Sequence, residues 1–353
     1  VQGGARLQGD YAVPRLADID IHMHRGEEVD LTVTGSVDNI FTGEGADLHM
    51  VGQSSHPQVA SWMLFGTVSA ISALSIDGHL QEQQGVYRVR DLNAEVKTSD
   101  GLEMKASGDG QLYPARHRFS DADEGIDLDL SAPNTDALNL YQVEAIPSLG
   151  PVTGRARLIV SRDAIALYKT DLSIGKGSAT SVRLQGQLGQ VPLHDVKAMS
   201  DINLKVDIKT TDLAALARIF DFQIDHDQTA PGHVVTHLTG EGSNINLGQT
   251  DISIGSKDGA IIRASGKADN VVVTDTSISA NARFDVSASA SDLSQFSEFV
   301  GVDLPKLGAV AGNANLVVKG TRLTLDQMRI NIGAPDQPTI RLDGEVVSEL
   351  HKG

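Results

Sequence analysis

Apolar and polar residues alternate with a period of two along most of this chain. In ISANARFDVSASA, residues 278–290, Ile278, Ala280, Ala282, Phe284, Val286, Ala288 and Ala290 take the even positions and polar side chains take the odd ones. Successive side chains of a strand point to opposite faces, so this pattern predicts a strand with one covered face and one wetted face. TDISIGSKDGAIIRASG, residues 250–266, reads as two such strands. Ile252 and Ile254 alternate with Asp251 and Ser253, a turn runs from Ser256 to Gly259, and Ile262 and Ala264 alternate with Arg263 and Ser265.

The pattern repeats. IALYKTDLSIG (165–175), INLGQTDISIG (245–255) and LTLDQMRINIG (323–333) align without a gap as aliphatic-x-Leu, four spacers, aliphatic-x-Ile-Gly. Each is followed by a second match, VRLQGQ (182–187), IRASGK (262–267) and IRLDGE (340–345), with MKASGD (104–109) and VDLTVTGS (29–36) as weaker relatives. The glycine of this second match falls at Gly35, Gly108, Gly186, Gly266 and Gly344, in steps of 73, 78, 80 and 78 residues. Such a period argues for an array of stacked supersecondary units. The glycines fall on the apolar phase, which reads as a place where the sheet bends or another backbone comes close.

Each full unit opens with a strand that runs into a helix signal. In DLSQFSEFVG (292–301), Asp292 is placed to cap the first N–H groups, Gln295 stands at the capping-box position, Leu293, Phe296 and Val300 share a helical face, and Gly301 ends the turn. TDLAALARIFDF (211–222), NTDALNLYQVEA (134–145) and, with more strain, SSHPQVASWMLFG (54–66) follow the same plan. Three strands joined by tight turns complete the unit, led by GRARLIVS (154–161), GHVVTHLT (232–239) or GNANLVVK (312–319).

The reading is therefore mainly β with short helices, in repeats of about 78 residues: a partial one over 1–38, then 39–115, 116–192, 193–270 and 271–353, forming one continuous sheet. The first lacks its opening strand and helix, so the chain is expected to be a piece of something longer.

About ten helical residues per four strands cannot cover the apolar face of such a sheet. The residues predicted to line it are Leu31 and Val33 in the partial unit and Met104 in the next. Leu128, Leu130, Ala156, Leu158, Val160, Leu172, Ile174, Val182 and Leu184 follow in the third. The fourth supplies Ile202, Leu204, Val206, Ile208, Val234, Leu238, Ile252, Ile254 and Ile262. The last supplies Ile278, Ala280, Ala282, Phe284, Val286, Leu316, Val318, Met328, Ile330, Ile332, Ile340 and Leu342.

Charge narrows the class. The formal net charge is −17 with a pI near 4.9, which repels phosphate backbones and argues against nucleic acid as a partner. Cysteine is absent, in keeping with an oxidising compartment. Aromatic residues make up 4%, too few for the girdles of an outer-membrane barrel, and no run reaches the roughly 20 apolar residues of a membrane helix.

The candidate chemistry is thin. His22 and His24 share a strand face, and FDFQIDHDQ gathers Asp221, Asp225, His226 and Asp227, but a metal site needs convergent ligands with outer support, and solvated surface is the reading for both. His233 and His237 take the polar phase of GHVVTHLTG, where the other copies carry Arg155 and Ile159 or Asn313 and Val317. DADEGIDLD lacks the ligand order of an EF-hand, and GKGS (175–178) lacks Walker spacing. No nucleophile, metal or cofactor site is expected, and the chain reads as non-enzymatic. A basic residue recurs at Lys105, Arg183, Arg263 and Arg341, on the polar phase. A solvated charge that discourages stray edge pairing is the plain reading, and a rail for lipid headgroups is the sharper one.

The strand ending in DLSQF or DLAAL, then GxAxLxV, LxLxxxxxxIG and IRLxGE, resembles the AsmA-like family of Gram-negative envelope proteins, which includes AsmA, TamB and YhdP, over residues 1 to about 348. The copy at 39–110 departs most, since HPQVASWMLFG replaces the usual helix opening. The resemblance implies a long, twisted, taco-shaped β-sheet whose apolar groove binds phospholipid acyl chains along the residues named above. It implies a bridge-like lipid transfer protein in outer-membrane biogenesis, periplasmic, held to the inner membrane by an anchor absent from this chain, with an outer-membrane protein as a further candidate partner. The rivals are a periplasmic structural or assembly scaffold without lipid conduction, and an extracellular β-solenoid adhesin or enzyme.

Overall fold

The computed structural model describes residues 1–55, 71–113, 125–138, 148–161, 164–192, 198–213, 230–242, 244–256, 258–273, 278–334 and 337–349. The expected helix at 54–66, most of those at 134–145 and 211–222, and the acidic cluster at 221–227 lie outside them. The chain divides into two units, residues 1–174 with 187–196, and residues 175–186 with 197–353.

The first unit contains β1 (Gln2–Gln8), β2 (Arg15–Arg25), β3 (Val29–Val37), β4 (Asp47–Ser54), β5 (Ile71–Gln83), β6 (Val86–Thr98), β7 (Glu103–Tyr113), β8 (Ile126–Ala132), β9 (Val152–Ser161) and β10 (Ala164–Ile174). Each pairs antiparallel with the next. Because β8 is short, the end of β7 reaches past it and meets β9 in parallel at Leu112 and Tyr113.

The second unit holds the first half of β11 (Thr180–Pro192), then β12 (Ser200–Thr210), β13 (Gly232–Glu241), β14 (Asn244–Gly255), β15 (Ile261–Val273), β16 (Ile278–Ala290), β17 (Val310–Gly320), β18 (Arg322–Ala334) and β19 (Gln337–Glu349). From β12 to β19 every strand again pairs antiparallel with its successor. Among the described residues β1 pairs only with β2 and β19 only with β18, so the sheet is open. The fold class is mainly β, as the alternation predicts.

The spacing in aliphatic-x-Leu, four spacers, aliphatic-x-Ile has a structural cause. Leu167 and Leu172 are five residues apart, which in a regular strand would put them on opposite faces. A β-bulge between Tyr168 and Asp171 inserts one residue and returns both to the same side, opposite Leu158 and Gly154. The extra residue, Lys169, has φ 51°, and Asp18, Asp91 and Gln327 hold the same left-handed conformation at the register shifts of β2, β6 and β18. Six apolar residues therefore change parity without changing face: Ile165, Leu167, Ile245, Leu247, Leu323 and Leu325 belong with the predicted lining although simple alternation omits them.

Two short helical turns are described. Thr135–Leu138 is a 3₁₀ turn whose Ala137 joins Leu102, Ala132 and Val152 in a buried cluster at the end of the apolar face, with Leu130, Leu172 and Ile174 against it. Leu293–Phe296 is a 3₁₀ turn that passes into an α-turn, Ser297–Val300, closed by Gly301 at φ 67°. Asp292 caps it as expected, accepting from the Ser294 N–H at 2.9 Å, while Gln295 reaches back to the Ser291 N–H, one residue before the cap.

Candidate functional site

Directly opposed residues in an antiparallel pair share a face, so the register traces each surface strand by strand. In the second unit one row runs Ile208, Val234, Ile252, Ala264, Val286, Ala314. The next runs Val206, Thr236, Thr250, Gly266, Phe284, Leu316, Leu325, Val346. Ile254, Ile262, Ala288, Gly312, Ile330 and Leu342 form a third, which puts Phe284, Leu316, Ile330 and Leu342 on one side of the sheet. In the first unit Leu31, Gly52, Ile76, Ala94, Ala106, Leu128 and Ala156 form a row across seven strands.

All the residues predicted to line the apolar face therefore lie on one face within their own unit, Ile278 excepted, whose side chain is outside the described set. Val182 and Leu184 join it through Thr180, of the same phase, whose hydroxyl meets that of Thr210 at 2.9 Å. Burial along this face is graded. Leu31, Ile202, Leu204, Val206, Ala280, Ala282, Phe284, Val318 and Ile332 are buried, while Ile252, Ile254, Ile262, Met328 and Ile330 are half-buried. Ile340 and Leu342 are exposed, because β19 has no described neighbour on its outer side.

Alternation did not disclose the threonines. Thr180, Thr210, Thr236 and Thr250 are buried on the apolar face and bond in pairs across strands, Thr236 to Thr250 at 2.6 Å. Thr210 also donates to the Asp212 carbonyl and Thr250 to that of Gly248, so no hydroxyl of these pairs is left dry and unmatched. β-branched residues at apolar-phase positions were the available signal.

The opposite face is polar, and its histidines are held by their neighbours. His233 Nε2 lies 3.0 Å from Asp207 Oδ1, His237 Nε2 2.7 Å from Asn203 Oδ1, and His22 is bracketed by Asp20 and Thr32. His49 and His79 stack with ring centroids 4.1 Å apart. Arg157 binds Asp127 through Nε and a terminal nitrogen, and that hydrogen bond first, then its charge, holds the Asp127 carboxyl below its ordinary value. Among the described residues no three such groups converge on a metal position.

The recurrent cations lie on this polar face. Lys105 reaches Glu95 and Arg341 reaches Asp343, while Arg263 makes no ion pair among the described residues. Arg263 lines a hollow of about 510 Å³ with His233, Asp251, Ser253, Asp285 and Asn313. A similar hollow of about 380 Å³ in the first unit is bounded by Asp30, Thr32, Gln53, Ser75, Asp77 and Asn93. Both are lined mainly by polar-phase residues, with Ile252, Ala264 and Val286 of the apolar row also bounding the first and Gly52 and Ile76 the second.

No described helix is long and apolar enough to cross a membrane. Compared with family models, with curated proteins and with solved structures, the chain gives no match.

Proposed function

We propose that this chain is a non-enzymatic β-groove that binds phospholipid acyl chains and conducts them between the inner and outer membranes, in the manner of the AsmA-like proteins its repeats resemble. The observation that carries the reading is the succession of apolar side chains, with glycines and paired threonines among them, strand after strand on one face of each unit. An acyl chain leaving such a surface for water loses roughly 0.8 kcal/mol for each CH₂ uncovered. A face that repeats the same apolar contact keeps that loss small at every step of a slide, which gives the sequence a reason to repeat a stretch with no chemistry in it. A periplasmic location, an inner-membrane anchor beyond this chain and an outer-membrane partner belong to the same proposal.

One observation favours the rival reading, a scaffold without lipid. Leu204, Val206 and Phe284 are already covered by the protein's own side chains, at 8, 9 and 9% exposure. The two readings separate by native mass spectrometry of the chain purified without detergent. Copurifying phospholipid at defined stoichiometry is the expected result, and a lipid-free chain that also takes up none from vesicles leaves the scaffold.

A further inference from the structure

The polar hollow of about 510 Å³ in the second unit brings together opposite charges that make no ion pair. Cross-strand register sets them in two rows of three, on β14, β15 and β16 in turn: Ser253, Arg263 and Ser287 in one, Asp251, Ser265 and Asp285 in the next. Arg263, Asp251 and Asp285 are exposed, and none of them forms an ion pair or a side-chain hydrogen bond among the described residues. The serines beside them are short, which leaves the space above the sheet open. Lys267 and Arg283, the next cations along these strands, lie outside the lining.

The arrangement belongs to one copy. The arginine recurs, but in LTLDQMRINIG the place of Asp251 is taken by Arg329, and Arg341 reaches Asp343. In the copy that carries Arg183, Gly186 faces Leu204 as Gly266 faces Phe284, which puts Lys205 where Asp285 stands. The hollow of about 380 Å³ in the first unit has Asp30 and Asp77 but no cation in its lining, and Asp77 is held by His49 at 3.0 Å. The repeat accounts for the arginine and leaves its two carboxylate neighbours unexplained.

We propose that this hollow binds an aminoalkyl phosphate, with the ammonium between Asp251 and Asp285 above Ser265 and the phosphate on Arg263 beside the hydroxyls of Ser253 and Ser287. The site does not depend on lipid conduction along the apolar face. Asp251 and Asp285 stand two strands apart, roughly 10 Å between backbones, a gap that their short side chains narrow to the width of one ammonium. An ammonium has three donors and no acceptor, and the two carboxylates and the serine oxygen answer all three. Two residues along a strand cover roughly 7 Å, the span from that ammonium to an anion on the guanidinium. There the arginine fork and two hydroxyls offer more donors than a planar carboxylate uses, which favours phosphate. Single ions fit less well, since the carboxylates repel a phosphate alone and Arg263 repels a lone ammonium.

The test titrates O-phosphoethanolamine into the full 353-residue chain by calorimetry, beside inorganic phosphate and ethanolamine at the same ionic strength. Saturable binding is expected, at least about tenfold tighter than for either single ion, because each lost charge-assisted contact weakens binding by about that factor. Arg263→Gln should cause a loss of about tenfold with an unchanged melting temperature. Asp251→Asn and Asp285→Asn should do the same while tightening inorganic phosphate, an inversion that loss of folding cannot produce. Asp30→Asn, in the first unit's hollow, should leave every titration unchanged. Sedimentation of the chain with phosphatidylethanolamine vesicles and not with phosphatidylglycerol vesicles, lost in Arg263→Gln, identifies a lipid headgroup as the source. Calorimetric binding without sedimentation identifies a free aminoalkyl phosphate. No saturable binding, equal affinity for inorganic phosphate, or parent affinity in the Asp251→Asn and Asp285→Asn chains overturns the proposal, and the comparison of the three ligands on the parent chain stands even if a variant misfolds.

Discussion

At the scale of single residues, two positions make opposite demands on the same ladder. Gly266 is needed because the Arg283 carbonyl occupies the space of a side chain, so Gly266→Ala should push β15 and β16 apart. A loss of about 1–3 kcal/mol, the usual range for overpacking, is expected in urea unfolding. An unchanged midpoint would mean the strands separate freely there. Asp292 works through charge and hydrogen bonds. Its carboxylate accepts from the Ser294 hydroxyl, the Ser294 N–H and the Gly308 N–H, at 2.7, 2.9 and 2.9 Å, and these hold its pKa below the ordinary 3.8. A carboxyl with a depressed folded-state pKa adds stability that is fully present above 3.8 and disappears as pH falls through the lower folded value. Asp292→Ala should therefore lower the urea midpoint at neutral pH, and by progressively less as the pH is taken down below the usual carboxylate range. Equal loss across that range would assign the effect to packing.

At the scale of elements, the bulged strands are the devices that keep one face apolar. Gln327 sits at φ 50°, where a β-branched side chain is strained and glycine is free. Gln327→Val should cost about 1–2 kcal/mol in urea unfolding, and Gln327→Gly should be neutral or slightly stabilising. If glycine destabilises as much as valine, the Gln327 side chain rather than its backbone matters, and its hydrogen bond from Asn315 at 3.1 Å would be the place to look. The helical turn after β16 was legible in DLSQF because capping is local chemistry. That it begins as 3₁₀ is set by its ties outside the turn, Leu293 N–H to the Gly308 carbonyl and Gln295 to Ser291.

At the scale of the whole molecule, the proposed conduction rests on the apolar face that each unit carries from strand to strand, and its test is a charge placed on it. Ile254 is half-buried between Gly232 and Ile262, so an aspartate there can stay hydrated while the strand remains folded. Ile254→Asp should abolish most lipid transfer between vesicles, or reduce outer-membrane integrity in cells at matched protein level, because a passing acyl chain must either lift off or desolvate the carboxylate. Leu204→Asp, by contrast, buries its charge within the protein and should act chiefly on stability. Arg263→Ala lies on the polar face and should leave transfer near the parent level. Full transfer by Ile254→Asp with an unchanged melting temperature would remove the conduit and leave the scaffold.

The sequence by itself determined the fold class, the phase of almost every strand and the Asp292 cap of the turn after β16, because alternation, tight turns and capping act over a few residues. It could not decide that Leu167 and Leu172 share a face. That depends on a bulge whose extra residue is invisible until the partner strand is laid beside it. Nor could it say that Thr210 and Thr180 belong with the apolar rows, since a buried hydroxyl is tolerated only when another strand answers it. The glycines show the division most clearly. Their period could be read along the chain, but the reason for Gly266 is a carbonyl on β16 that only the folded sheet brings against it, and Gly344 repeats the residue without that carbonyl.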